Sequence, residues 1–363
     1  MKKPCRVIVC GTGGVGGGAL REALRMPWIQ VVGVLVYSKS KADVDIGELV
    51  GMAPIGVKTT MDFEAILKLK ADCVIYCARD IGDDSNDDIF VRLLESGKNV
   101  VTALAYHRPQ NRNSGATIGA RLEAACQKGG VSFHASGINP GFIVERMTLL
   151  ATGLCSDIKQ IKVEEFFNCE QLHESLMGMF GIGMPVSEAK KLTTAMHISN
   201  LYLTQAFEYT CEKLGVKVDR IEQEQFFKET PQDIKTIDML IKKGTVGSTS
   251  YRWTVYVNGK PFFVKENTWF MTRSMQPIVA ETTENWLITI EARPSVKLFL
   301  EANASMQNKT RAYEGDPTPP GYYATAIPMI QMIPIICDAK PGIIYPLPVG
   351  AHWTTEFGVS RAA

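Results

Sequence analysis

The sequence predicts an α/β fold: a doubly wound parallel sheet in the first 142 residues, then a second α+β domain built on a mostly antiparallel sheet. Three observations predict it. Apolar runs and helix-like segments alternate from residue 6 to residue 135, the order expected of parallel strands joined by crossover helices. The first apolar run ends in a glycine-rich turn, Gly11-Thr12-Gly13-Gly14-Val15-Gly16. Beyond Phe142 the alternation gives way to long strand-like segments, two of them joined by Asn258-Gly259, a strong hairpin-turn signal.

Each element has a local reason. Arg6–Cys10 is an apolar strand, and its helix runs to about Met26. Ile29–Tyr37 carries Val31, Val32, Val34, Leu35 and Val36, a run suited to a parallel strand covered on both faces. Asp62–Leu69 places Phe63, Ile66 and Leu67 on one helical face, and Ala71–Cys77 is a buried strand. A helix over Asp87–Gly97, a strand over Asn99–Thr102, a helix over Ala116–Lys128 and a strand over Val131–Ala135 complete the alternation. In the second part, a helix over Ile143–Thr152 precedes a half-buried strand over residues 158–168. Helices near Ser187–Leu192 and Leu201–Leu214 follow, then strands over Thr249–Val257, Pro261–Thr272, Asn285–Ala292 and Val296–Ala302. Glu314–Gly321 reads as a linker and Ala324–Asp338 as an apolar helix stopped by Lys340-Pro341-Gly342. Residues 1–142 therefore form one domain, completed by a C-terminal helical segment 323–363, and residues 143–322 form the second.

Composition narrows the function. A net charge of +1 provides no bulk field for nucleic acid or an anionic membrane. No segment has the uncharged apolar run of a membrane span, and Met1-Lys2-Lys3-Pro4 passes straight into the first strand, unlike a signal peptide. Nine cysteines, an odd number with no C-x-x-C pair, fit a reduced cytoplasmic protein. The five histidines show no metal-ligand spacing, so no metal is expected.

The glycine turn carries chemistry. Between a strand and a helix, the pattern is a dinucleotide-binding fingerprint of the Rossmann type. Gly11 permits the tight turn, Gly13 lets the backbone approach a pyrophosphate, and Gly16 lets helix and strand pack closely. The helix N-terminus, with Gly14 and Val15 in its first turn, presents N–H groups to the phosphates. An acid that reads the ribose 2′-hydroxyl is expected at the end of the second strand. Ser38, Lys39, Ser40 and Lys41 stand there instead, and the first acid is Asp43. Hydroxyls and lysines suit a 2′-phosphate, so NADP(H) is expected rather than NAD(H).

The chain resembles the dihydrodipicolinate reductase-like oxidoreductases, in the branch of 2,4-diaminopentanoate dehydrogenase and the native amine dehydrogenases. Four segments carry the likeness: Val7–Gly16, Val36–Ser38 with Asp45–Gly51 and Pro54–Val57, Gly137–Phe142, and Ala326–Ile344 with its Ile-Pro and Lys-Pro-Gly elements. The resemblance implies hydride transfer between NAD(P)H and a C=N or C=O carbon, a substrate pocket in the second domain, and a homodimer. It also implies a Glu after the strand ending at Thr102, yet residues 102–108 contain no acid.

Further site residues follow from position. Ala78 and Arg79 come just after a strand, at the carboxyl edge where open sheets bind ligands. Thr102 and Ala103 are expected near the nicotinamide ribose, and Asn139 at the carboxamide. Tyr106 and His107 are the local candidates for proton donation in place of the absent Glu. In the second domain the resemblance implies that residues 171–185 border the substrate, with Met177, Met179, Phe180 and Met184 as an adaptable apolar wall and His173 as a polar candidate. The resulting expectation is a cytoplasmic NADPH-dependent oxidoreductase that reduces a C=O or C=N carbon of an apolar small molecule. The alternatives are an amine dehydrogenase whose carboxylate comes from the second domain, and a non-catalytic NADP(H)-binding redox sensor.

Overall fold

The computed structural model describes residues 3–170, 174–236, 239–280, 282, 284–307, 316 and 318–345. The chain divides into two units, one comprising residues 1–146, 204–206 and 311–363, the other residues 147–203 and 207–310.

The first unit begins with β1 (Cys5–Cys10), α1 (Gly14–Arg25), β2 (Ile29–Leu35), α2 (Ile46–Leu49), β3 (Thr59–Thr60) and α3 (Phe63–Lys68). It continues through β4 (Cys73–Tyr76), α4 (Asp87–Glu95), β5 (Asn99–Thr102), α5 (Gly115–Gly129) and β6 (Ser132–Ala135). The second unit carries α6 (Thr148–Thr152), β7 (Ser156–Asn168), α7 (Glu174–Met179), α8 (Val186–Ala189), α9 (Thr194–Lys213) and β8 (Arg220–Glu229). After β9 (Ile234–Lys235) and β10 (Leu240–Ile241) come β11 (Val246–Val257), β12 (Lys260–Phe270), β13 (Glu284–Arg293) and β14 (Val296–Glu301). Last come α10 (Pro320–Asp338) and β15 (Gly342–Ile343), which belong to the first unit.

The first sheet has the order β15-β6-β5-β4-β1-β2-β3 and is parallel throughout. Its strands alternate their buried side chains between two cores. Val7, Val9, Ile75 and Val101 face a cluster with Ala19, Leu20 and Ala23 of α1 and Met329 and Ile333 of α10. Ile8, Cys10, Val74, Tyr76 and Val100 face Phe90 and Leu93 of α4 and Ile118 and Leu122 of α5. Helices cover both faces, as the continuous apolar runs require. The sheet reverses direction of growth at β1, between β2 and β4, and open α/β sheets bind their ligands at the carboxyl ends of strands at such a point.

Several expectations are adjusted. Residues 142–147 form a π-helical turn before α6, in place of one α-helix over Ile143–Thr152. The expected linker contains Asp316, which is buried and accepts from Arg21 Nη1 at 2.6 Å. Gly321, expected to end that linker, instead lies in the first turn of α10. Arg21 also donates to the Val50 carbonyl at 2.8 Å and to Thr318 Oγ1 at 2.7 Å, so one guanidinium ties α1 to the start of α10. The C-terminal segment holds a seventh strand, β15, where only a helix stop was expected. Residues 346–363 lie outside the described residues.

The second unit has a six-stranded sheet of order β14-β13-β7-β12-β11-β8. All its pairs are antiparallel except β7 with β12. Asn258-Gly259 joins β11 to β12, both at positive φ, as the hairpin requires. No helix among the described residues is long and apolar enough to cross a membrane.

Candidate functional site

The glycine turn lies where β1 runs into α1. Gly11 has φ +83°, and a Cβ there would stand 2.7 Å from the Cys77 carbonyl and the Ala78 nitrogen. A Cβ on Gly16 would stand 2.0 Å from the Gly11 carbonyl. Both positions therefore exclude any side chain. Gly13 differs: nothing lies within 4 Å of its missing Cβ. It caps α1 with no side-chain hydrogen bond, and the first turn contains no acid. Uncapped N–H groups beside open space are what a pyrophosphate needs. Gly14 has another cause, since its missing Cβ would meet the Tyr322 ring at 2.5 Å.

A cavity of about 560 Å³ opens along this turn, lined by Gly11–Gly13, Ser38, Lys41, Cys77–Arg79 and neighbouring groups, Tyr37 and Asn86 among them. None of its lining residues is a carboxylate, and two are cations, Lys41 and Arg79. Lys41 Nζ donates to the Thr12 carbonyl at 2.6 Å, fixing it against the glycine turn. Ser38 and Ser40 share a 2.8 Å hydroxyl contact, and Lys39 is exposed in the same 3₁₀ turn. Asp43, the first acid, pairs with Lys58 at 3.0 Å and does not line the cavity. Tyr37 hydroxyl meets that of Tyr76, which donates to Asn86 Oδ1 at 2.7 Å. These residues fit a dinucleotide: a backbone cradle, open volume and uncompensated positive charge occur together.

The carboxyl edge continues across β5 and β6. Thr102 is fully buried and donates to the Tyr76 carbonyl at 2.8 Å, locking β5 to β4. Ala103 lies 3.8 Å from where Gly137 would carry a Cβ, so the loops after β5 and β6 meet. Asn139 sits in the turn between Gly137 and Gly141, which is closed by Gly137 N–H donating to the Pro140 carbonyl at 3.1 Å. Gly141 has φ +111°, and a Cβ there would stand 2.8 Å from the Gly137 nitrogen.

The two residues proposed from sequence as proton donors occupy different settings. Tyr106 is fully buried between Phe90 and Phe133, and its hydroxyl donates to Asp87 Oδ1 at 2.5 Å. Arg112 lies over its ring at 4.0 Å. Burial and the Asp87 carboxylate both push the phenol pKa up. The hydroxyl is thus committed within the core. His107 is 4% exposed, and neither ring nitrogen forms an aligned hydrogen bond, although the Pro140 carbonyl approaches it. Burial, with help from His134 and Arg146, pushes its pKa down to about 3.

Four residues that sequence reasoning passed over build this edge. Arg112 donates to Asp80 Oδ2 at 2.9 Å and to the Ala105 carbonyl at 3.1 Å, joining the loops after β4 and β5. Gln205, in the short stretch of α9 that belongs to the first unit, donates to the same Ala105 carbonyl at 2.8 Å and accepts from Arg108 N–H at 2.6 Å. Arg146 Nη2 donates to Ser136 Oγ at 3.1 Å and approaches His134 Nε2 at 3.4 Å. Glu145, 1% exposed, accepts from Gly141 N–H at 2.6 Å. The only sequence signal for Glu145 was an acid within an apolar run directly after the Gly-Ile-Asn-Pro-Gly turn.

In the second unit Met177 and Phe180 are buried, and the Phe180 ring packs on Tyr251 and Trp269. Met179 and Met184 are half-buried. Main-chain bonds between Gly183, Met184 and Val246 pin this segment to β11. His173 lies outside the described residues. No group of three or more potential metal ligands occurs among the described residues.

A doubly wound sheet with a glycine-rich turn at its switch point, in a chain that also carries a mixed-sheet unit, is the architecture of Rossmann-type NAD(P)H-dependent oxidoreductases. The family model for the 2,4-diaminopentanoate dehydrogenase C-terminal domain matches residues 142–358, and the chain belongs to that family. It is 27% identical over 346 residues to an amine dehydrogenase of Streptomyces virginiae, with 93% of each chain covered. It is 23% identical over 350 residues to the 2,4-diaminopentanoate dehydrogenase of Acetoanaerobium sticklandii, covering 93% of this chain and 91% of the relative. The solved amine dehydrogenase from Mycobacterium smegmatis has the same fold, with a TM-score of 0.75 at 18% identity over 94% of this chain and 95% of that one.

Proposed function

We propose that the protein transfers hydride between NADP(H) and the carbon of a carbon–nitrogen bond, catalysing the reductive amination of a ketone and its reverse. The observation that carries this reading is the carboxylate-free cradle of the first unit, in a chain aligned nearly end to end with two relatives named for amine oxidation. The bound nicotinamide would supply the hydride; the protein's residues bind, orient and manage protons.

Gly11, Thr12, Gly13 and the first turn of α1 would hold the pyrophosphate, with Gly14, Val15 and Gly16 setting the helix against the strand. Lys41 would meet the 2′-phosphate together with Ser38, Ser40 and the exposed Lys39, which favours NADP(H) over NAD(H). Ala78 and Arg79 line the same cavity. Ala103 and Asn139, at the edge of β5 and β6, would place the nicotinamide end, with Thr102 supporting the strand beneath. Of the two sequence candidates, His107 is the better placed, because the Tyr106 hydroxyl is already spent on Asp87. With its pKa held low, His107 stays neutral at pH 7. It then offers one donor and one acceptor to a carbonyl or amine, but not a ready proton. Met177, Met179, Phe180 and Met184 would shape the apolar part of the substrate site. The working form would be a cytoplasmic homodimer.

NADPH oxidation by a panel of ketones, with and without ammonium, tests the reading. Ammonium-dependent turnover is expected. Turnover without ammonium would point to a ketone reductase, and tight cofactor binding without turnover would point to a redox sensor.

A further inference from the structure

A second cavity, of about 450 Å³, lies in the first unit and shares no lining residue with the cavity at the glycine turn. Its walls are Arg6 at the start of β1, residues 67–72 leading from α3 into β4, and residues 96–98 leading from α4 into β5. It therefore stands at the amino ends of three parallel strands, whereas the glycine turn follows the carboxyl end of β1. Four of its lining residues are cations, Arg6, Lys68, Lys70 and Lys98, against one carboxylate, Asp72. The whole chain has a net charge of only +1, so the excess is local. Neighbouring cations on the same helices are paired: Arg92 meets Glu64, and Lys128 meets Glu95 at 3.0 Å. The side chains of Arg6, Lys68 and Lys70 have no hydrogen bond or ion pair among the described residues. Asp72 does not compensate them. Its Oδ2 takes the main-chain N–H of Arg6 at 2.7 Å, and it forms no ion pair with any of the four cations. Lys98 is only 2% exposed, yet it lines the cavity. Its Nζ donates to the Leu67 carbonyl at 2.7 Å and to Ser96 Oγ at 2.9 Å. The third N–H has no partner among the described residues, and the charge has no counter-ion there. A buried cation without an anion is costly. The carbonyl and hydroxyl explain how Lys98 is held, but not why three more unpaired cations gather on the same opening.

We propose that this cavity binds a small multivalent oxyanion, a phosphate ester or a polycarboxylate, through buried Lys98 and the more accessible Arg6, Lys68 and Lys70. The cations come from three separate segments and outnumber the single acid, so a ligand with several charges satisfies more of them than a monovalent one. The planar fork of Arg6 suits a pair of oxygens, and the lysines act as point charges. The volume lies within the range of small-molecule sites. This site is independent of the hydride chemistry proposed above and stands or falls apart from it.

Calorimetric titration of the full chain with pyrophosphate and with citrate tests it, at fixed ionic strength and with excess NADPH to keep pyrophosphate off the glycine turn. One equivalent per chain is expected for at least one of the two, and the tighter of them tells phosphate from carboxylate chemistry. Replacing both Lys68 and Lys70 with alanine should weaken that binding at least about tenfold, the loss of contacts to a charged group. Both side chains are exposed, so the double variant should fold normally and keep its NADPH affinity within about twofold. Asp72→Asn retains an oxygen for the Arg6 N–H but removes the one negative charge, and should tighten the anion about twofold or more. A merely structural role for Asp72 would give no such gain. Heats no larger than those of sodium acetate, or an affinity that the double lysine variant leaves unchanged, would overturn the site.

Discussion

Replacing Lys41 with alanine should weaken NADPH binding far more than NADH binding. The Lys41 ammonium is half-buried beside the glycine turn, with one N–H given to the Thr12 carbonyl at 2.6 Å. An ammonium has three donors, so it can keep Thr12 and still meet a phosphate. A hydrogen bond to a charged group contributes about 1.5–3 kcal/mol, or roughly 10- to 100-fold in affinity. NADH has no 2′-phosphate and should change by less than about threefold, as for a surface substitution that removes no ligand contact. The gap should shrink as salt rises, because the site is open to solvent on one side of the charge. Lys39, exposed and outside the cavity lining, should matter less when replaced alone. The assay is fluorescence titration of both cofactors at two salt concentrations. Equal losses for NADPH and NADH, or none for either, would refute the assignment of this loop to the 2′-phosphate.

Other consequences follow from the same packing. Gly13→Ala meets nothing within 4 Å, so melting should move by less than the equivalent of about 1 kcal/mol, while NADPH affinity falls at least about tenfold. Tyr106→Phe leaves buried Asp87 with one donor fewer and should cost about 1–3 kcal/mol in denaturant titration, with the pH profile of kcat unchanged. Glu145 is raised from 4.5 to about 7 in the folded chain, so the folded state binds its proton more tightly than the unfolded state. That contribution is complete below pH 4.5 and is lost as pH rises through about 7, a change on the order of 3 kcal/mol. Melting curves of wild type and E145Q should therefore diverge over this window, with the variant gaining relative stability as pH rises. His107 and His134 are common to both and cancel in the difference; parallel curves would contradict the raised carboxyl.

The glycine turn was legible in the sequence because backbone sterics demand those residues: Gly11 by its positive φ, Gly16 by the Gly11 carbonyl. The buried strands were legible because both faces of the first sheet are covered, leaving unbroken apolar runs. What stayed hidden depends on partners distant in the chain. Asp316 looked like linker because its partner Arg21 is 295 residues away. Strand β8 alternates charged residues with few apolar ones because it is an edge strand, so its pattern resembles a solvated loop. Strand β15 has two residues, too few for any periodicity. Tyr106 and His107 are neighbours in sequence but differ in commitment, since only folding brings Asp87 to the phenol. Glu145 was passed over because its burial and its bond from the Gly141 N–H arise only on folding, which no residue pattern encodes.

The central claim is hydride transfer to a carbon that becomes bonded to nitrogen. Incubating the enzyme with a ketone, heavy-nitrogen ammonium and NADPH deuterated at the transferring position, then weighing the product by mass spectrometry, tests it in one step. An amine carrying both labels on or at the same carbon is expected. A deuterated alcohol without nitrogen would contradict it.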